Sequence, residues 1–462
     1  SVGAQAAAFH AGPAVIISFL IAGIVCGAAV MCYAEFASMI PVAGSAYTFT
    51  YTTVGEIMAW IIGWDLILEM LMAGSVISKY WGVYLNDFMR LMGWNANTNL
   101  TFGSFHIDIA PIIIVAFFTT LLVFGTKIGA RVDGAMTVLK IAIVFFVVIV
   151  GFFYVKASNF TPFIPPSQPA STVEGSSAVT GVMTQPLWQF ATGMTPSVYG
   201  VPGILSGAAL VFFAFIGFDV VATASEETKN PHKNVPLGIG VGMLLIIVMY
   251  MLVAVVTTGM VSYADLAKQD SPSLATAFEL VGADWAAKII SFGIVLGLAT
   301  VVMVLLLGLT RIVFAMSRDG LLPRGLSKTG KHGTPAALQI VVGAVVALVA
   351  AFFDIGVLSD MVNIGTLSAF TLVAISIPIM RKKRPDLPRA FKMPGSPWIP
   401  ILIAVANFWL MLNLSVLTWI RFVVWLVVGF AIYFGYGYWH ARLGKGDLTE
   451  TLSAETDKAV NG

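Results

Sequence analysis

Charge is what this sequence has least of. Only 10% of its 462 residues are Asp, Glu, Lys or Arg, against roughly a quarter in an ordinary soluble domain. So few charges cannot cover a water-facing surface, which excludes an ordinary soluble enzyme. Cysteine is nearly absent: Cys26 and Cys32 both lie in apolar sequence, and no disulfide framework or metal-ligand spacing follows from them. The histidines, His10, His106, His232, His332 and His440, are scattered over span ends and loops and define no metal site. There is no nucleophile–base motif, so neither enzyme chemistry nor a cofactor is expected. A net charge of +2 gives no basic field for nucleic acid. What is present is apolar: 58% hydrophobic residues, 44 glycines and 32 phenylalanines, with a mean hydropathy of +0.91. That is the composition of an all-α polytopic membrane protein, in which glycine lets helices approach closely.

A helix needs about 20 mostly apolar residues to cross a bilayer. On that criterion spans are expected near 14–34, 55–85, 108–125, 136–155, 204–223, 236–259, 286–310, 336–353, 361–380, 399–419 and 422–439. The first run is too long, and lacks the basic start, of a cleavable signal peptide. Basic residues follow the odd-numbered spans: Lys127 and Arg131, Lys229 and Lys233, Arg318 to Lys331, and Arg381 to Lys392. The segment 157–200 has no Lys or Arg and is rich in Pro, Ser, Thr and Gly. It reads as an exposed, partly mobile external loop. Positive charge marks the cytoplasmic side, so the C-terminus, including the tail 441–462, is expected inside. Eleven spans then put residue 1 outside. One further helix upstream would bring both ends inside. The Asn99 and Asn159 triplets match glycosylation sequons, a pattern short enough to arise by chance.

Two carboxylates, Asp65 and Glu69, lie four apart on one face of the long second span. Such a pair either relays a proton or is hydrogen-bonded structurally to neighbouring helices. Glu35, Glu226, Glu227 and Arg311 lie near inner span ends, as a gate or as a static interface network.

Seven runs recur in order along the chain. They are Tyr33-Ala-Glu-Phe-Ala-Ser-Met-Ile-Pro-Val-Ala-Gly-Ser-Ala-Tyr47, Gly63-Trp-Asp-Leu-Ile-Leu-Glu69 and Phe213-Ala-Phe-Ile-Gly-Phe-Asp219. Then follow Glu226-Glu-Thr-Lys-Asn-Pro231, the Arg311–Pro323 run, Asn363-Ile-Gly-Thr-Leu367 and Arg384-Pro-Asp-Leu-Pro-Arg389. Together they resemble the amino acid–polyamine–organocation superfamily, most closely its bacterial cationic-amino-acid-transporter-like branch.

The resemblance implies a LeuT-like fold of two inverted five-helix repeats plus two extra helices, with the first and sixth helices broken near the midplane. Residues 1–440 then form one transporter domain. The first repeat, about 1–155, lacks its first helix, the second covers about 201–380, and the extra helices occupy about 399–440. The chain as it stands would be a fragment of a twelve-span parent. The Phe213–Asp219 run corresponds to the broken sixth helix. Carbonyls of Phe213, Ala214 and Ile216 would bind a substrate ammonium, with Phe215 and Gly217 completing the break and Phe213 a gate. Asp219 would cap the second half-helix. Met303 would line the side-chain pocket. Lys140 matches a lysine that places its ammonium where sodium sits in sodium-coupled relatives; its other reading is a lysine snorkelling to the interface.

The expectation is therefore a proton-coupled secondary amino-acid transporter of the plasma membrane. Its partners would be an amino acid substrate, the proton and the lipid bilayer, with substrate specificity neutral or broad. An exchanger or uniporter, or a non-transporting amino-acid sensor, are the alternatives.

Overall fold

A computed structural model describes residues 2–39, 47, 50, 55–94, 98–102, 105–125, 130–170, 181–217, 231–269, 272–330, 334–383, 385, 389 and 391–441. Among them the chain is mostly helical. Seven helices are long and apolar enough to cross a membrane, and four shorter apolar helices accompany them. This is a multi-pass membrane protein.

A short helix α1 (Val2–Ala6) widens into a π turn (Ala7–Ala11) and then tightens through a 3-10 turn (Gly12–Ala14) into α2 (Val15–Met39). Next come α3 (Glu56–Leu91), a hairpin of β1 (Asn99–Phe102) and β2 (Phe105–Asp108), α4 (Ile109–Val123) and α5 (Ala130–Phe152). A small α6 (Leu187–Thr192) precedes α7 (Gly200–Val211) and α8 (Pro231–Met260). Two short helices, α9 (Tyr263–Ala267) and α10 (Leu274–Leu280), lead into α11 (Asp284–Arg318). The chain ends with α12 (Ala336–Phe352), α13 (Ile355–Lys383), α14 (Trp398–Leu412) and α15 (Val416–Ile432), which runs through a π turn (Tyr433–Gly437) to His440.

Helix α3 is the axis. Its middle is buried continuously from Ile62 to Leu71, and it packs against α11 and α13. Helices α5 and α8 are peripheral. Phe145, Ile149, Leu237, Val241 and Leu244 stand exposed on them, as residues facing lipid do. Helix α15 docks on α3 through two stacked indoles: the Trp64 and Trp425 rings are 4.4 Å apart. Each indole N–H donates to the other residue's carbonyl, at 2.9 and 3.3 Å.

Most expected spans fall within a few residues of a helix. The C-terminal pair is a correction. The tenth span, read as 399–419, ends at Leu412, and a turn at 413–415 starts the next helix. Ser415 caps it, accepting from the Thr418 N–H at 3.2 Å. The turn is invisible to hydropathy because Asn413 finds partners inside the protein. Its side chain accepts from the Trp188 indole at 2.9 Å and donates to the Trp409 carbonyl at 2.9 Å. The segment 157–200 is also more ordered than expected over its described part. Gln168–Pro169 pairs with Ser197–Val198, and Gln185 and Met183 carbonyls accept from Val416 and Leu417.

The N-terminal turns lie directly on α7. The Tyr199 N–H donates to the His10 carbonyl at 2.7 Å, and the Tyr199 hydroxyl donates to the Ala8 carbonyl at 2.8 Å. A Cβ on Gly203 would overlap the His10 carbonyl oxygen. Gly203→Ala is therefore expected to destabilise the fold by about 1–3 kcal/mol, the usual cost of overpacking. A thermal unfolding scan in detergent checks this; an unchanged midpoint would mean the contact is looser than described.

Candidate functional site

Helix α7 stops well short of the 204–223 span expected from hydropathy. After Val211 the chain tightens into a 3-10 turn, Phe212–Phe215. Ile216 is extended, at φ −71° and ψ 144°. Gly217 then takes φ +119°, which L side chains rarely adopt. An aromatic run favours helix weakly, and the glycine lets the backbone leave it. Breaking a helix frees carbonyls, which must find partners at this depth. The Phe213 carbonyl accepts from the Ile216 N–H at 3.3 Å. The Ala214 carbonyl accepts from the Tyr250 hydroxyl at 2.8 Å. The Phe215 carbonyl is met by the Cys26 thiol at 3.8 Å.

The break borders a cavity of about 300 Å³, at the small end of the roughly 300–1,000 Å³ of ligand pockets. Phe213 and Ala214 form one side. Helix α3 contributes Ile77, Tyr80 and Tyr84, and α11 contributes Ile294 and Leu298. Helix α8 supplies Tyr250, Val253 and Thr257, and the N-terminal region supplies Val2, Val15 and Phe19. None of the described lining residues carries Asp, Glu, Lys, Arg or His. Phe213 packs against Tyr80, with ring centres 6.5 Å apart. The hydroxyls of Thr257 and Thr258 are satisfied by their own helix, at 2.8 and 2.7 Å.

Leu274 of α10 reaches the same cavity, so the α9–α10 segment is part of its enclosure. A forked ion pair ties that segment to α3: Arg90 donates to both Glu279 oxygens, at 2.9 and 2.8 Å. Nearby, bonds from Lys268 and Ser262 hold the Asp265 carboxyl below the usual carboxylate range.

The model of the amino acid permease family matches residues 1–436. This chain belongs to that family. The permease is 42% identical to the branched-chain amino acid permease BcaP of Bacillus subtilis (strain 168), over 95% of this chain and 89% of that protein. It is 39% identical to the methylthioribose transporter of the same organism, with the same coverage. It is 37% identical to cationic amino acid transporter 3, mitochondrial, of Arabidopsis thaliana, over 80% of this chain and 57% of that protein. These relatives are named as permeases and transporters, not enzymes, and the resemblance read from the seven runs stands.

The structure distributes the expected site residues of this permease unevenly. Phe213 and Ala214 line the cavity, while Phe215, Ile216 and Gly217 belong to the break without forming its wall. Met303 is buried on α11 and is not among the lining residues. Lys140 on α5 is half-buried, and its stem lies where a Cβ on Gly297 would meet it, at 3.3 Å. Gly297 is the neighbour of Leu298 in the wall. Asp65 and Glu69 are fully buried on α3. They lie two to three turns along α3 from Ile77, outside the cavity wall. Asp65 accepts from the Ser368 hydroxyl at 2.6 Å.

Asp219, Glu226 and Glu227 lie outside the described residues. Glu35 finds its partners in the last turn of α13 and the chain that follows it. Arg381 donates to both its oxygens, at 2.9 and 2.6 Å, the Met393 N–H donates at 2.7 Å, and Arg389 is 3.7 Å away. Sequence reasoning missed Tyr80, Tyr84 and Tyr250. For Tyr250 a signal was available: a lone hydroxyl inside the apolar run Ile246-Ile-Val-Met-Tyr-Met has to find a partner.

Proposed function

We propose that this permease is a secondary transporter of neutral amino acids, coupled to the proton and working by alternating access. The observation that carries the reading is the unwound end of α7 beside a cavity whose described wall bears no charged side chain. Backbone groups recognise what all amino acids share. In this reading the carbonyls of Phe213, Ala214 and Ile216 take the ammonium. The side chain is then selected by Ile77, Ile294, Leu298 and Leu274, a wall suited to an aliphatic group. A cationic side chain would meet no carboxylate among the described lining residues. Among the relatives, the branched-chain permease fits this wall better than the cationic transporters do.

The same reading takes α7 as the first half of the broken sixth helix of a LeuT-like inverted repeat. It sets the permease in the plasma membrane with a cytoplasmic C-terminus. Lys140 exchanges the coupled proton, with Glu69 and Asp65 as the supporting acids. Met303, five residues beyond Leu298 on α11, acts through packing. An Ala214→Cys variant tests the site. Cys26 and Cys32 are buried, so a water-borne thiol reagent reads the new cysteine over a low background. Leucine is expected to protect it and arginine not; protection by neither would place the substrate elsewhere.

A further inference from the structure

Two of the carbonyls freed by the break are occupied by side chains from neighbouring helices, and the two differ in kind. Cys26 meets the Phe215 carbonyl from a fully buried position on α2, outside the cavity wall. Tyr250 meets the Ala214 carbonyl, and both of those residues line the cavity. The Tyr250 ring is set between Phe19 and Phe215, with centres 5.9 and 5.2 Å away. That packing fixes the ring and leaves its hydroxyl aimed at one acceptor.

An amino acid entering this cavity brings an ammonium with three donors. The described wall offers it no carboxylate, so carbonyls must serve. A charge-assisted N–H to carbonyl bond is stronger than a neutral hydroxyl bond, so the ammonium outcompetes the hydroxyl for this acceptor. We infer that the Tyr250 hydroxyl stands in for the substrate ammonium at the Ala214 carbonyl and leaves it when an amino acid binds. Tyr250 is a positioning residue: it satisfies the break and holds the carbonyl in place without contributing to the bound state. The inference rests on the reading that the break receives the substrate.

A carbonyl has two lone pairs, so the rival arrangement is simultaneous donation by Tyr250 and ammonium. Calorimetric binding of L-leucine to the purified protein in nanodiscs separates them. Displacement predicts that Tyr250→Phe, with no bond to break, binds leucine roughly two- to tenfold more tightly, the worth of one net hydrogen bond. It also predicts that 3-fluorotyrosine at position 250, a stronger donor, binds leucine more weakly than wild type. Opposite signs from two rings of nearly equal shape cannot come from cavity volume. Weaker or unchanged binding in Tyr250→Phe overturns the inference while leaving the transport reading intact. If Tyr250→Phe does not fold, the fluorotyrosine protein decides alone, and unchanged or tighter binding there overturns it. A wild-type protein that binds neither leucine nor alanine overturns the transport reading and this inference together.

Discussion

Glu35→Ala is expected to cost about 3–5 kcal/mol of stability, the loss that follows when one partner of a buried ion pair is removed. Glu35 is fully buried near the C-terminal end of α2 and takes a forked bond from Arg381 and a backbone bond from the Met393 N–H. Arg381 also donates to the Met393 carbonyl at 2.7 Å, so the carboxylate organises the chain that follows α13. Alanine removes the carboxylate and leaves the guanidinium and the N–H without their acceptor. Glu35→Gln keeps an acceptor of the same shape and is expected to lose less. Unfolding in detergent, followed by tryptophan fluorescence, measures both. A thermal midpoint lowered by on the order of 5–10 °C in the alanine variant is expected. Equal stability of the two variants would mean that the charge contributes nothing.

Lys140→Met is expected to abolish proton-driven accumulation while leaving leucine binding in place. Methionine keeps the apolar stem that packs at Gly297, so the α5–α11 contact survives. What goes is the ammonium, and with it the group that exchanges a proton in the proposed cycle. Lys140 also touches the helix that supplies Leu298 and Ile294 to the cavity, so a charge change there is placed to reach the wall. Accumulation under an inward proton gradient should fall by at least about tenfold, the middle of the range for coupling between two ligands. Leucine–leucine exchange without a gradient should persist. Undiminished accumulation would reduce Lys140 to a snorkelling lysine that packs on Gly297.

How much of this was legible in the sequence depended on whether a feature is local. The apolar helices were, because a lipid environment writes itself as continuous hydropathy. The place where α7 breaks was, through the Phe213–Gly217 run and the family it resembles. The pairing of Glu35 with Arg381 was not: the two are 346 residues apart, and the basic run around Arg381 reads as a topology signal. Nor was the Tyr250 bond to Ala214, which depends on how α8 lies across the break. The turn at 413–415 escaped for the opposite reason. Asn413 is a turn-former whose polarity is satisfied by Trp188 and Trp409, and no hydropathy window registers that. The enclosure of the cavity by Leu274 was equally hidden, since α10 is short and reads as a connection.

Uptake of labelled leucine, alanine and arginine into proteoliposomes, in choline medium without sodium and with or without an inward proton gradient, tests the central claim most directly. The account predicts sodium-independent accumulation of leucine or alanine, driven by the gradient, with arginine poorly taken up. Binding without flux, a requirement for sodium, or preferential uptake of arginine would contradict it.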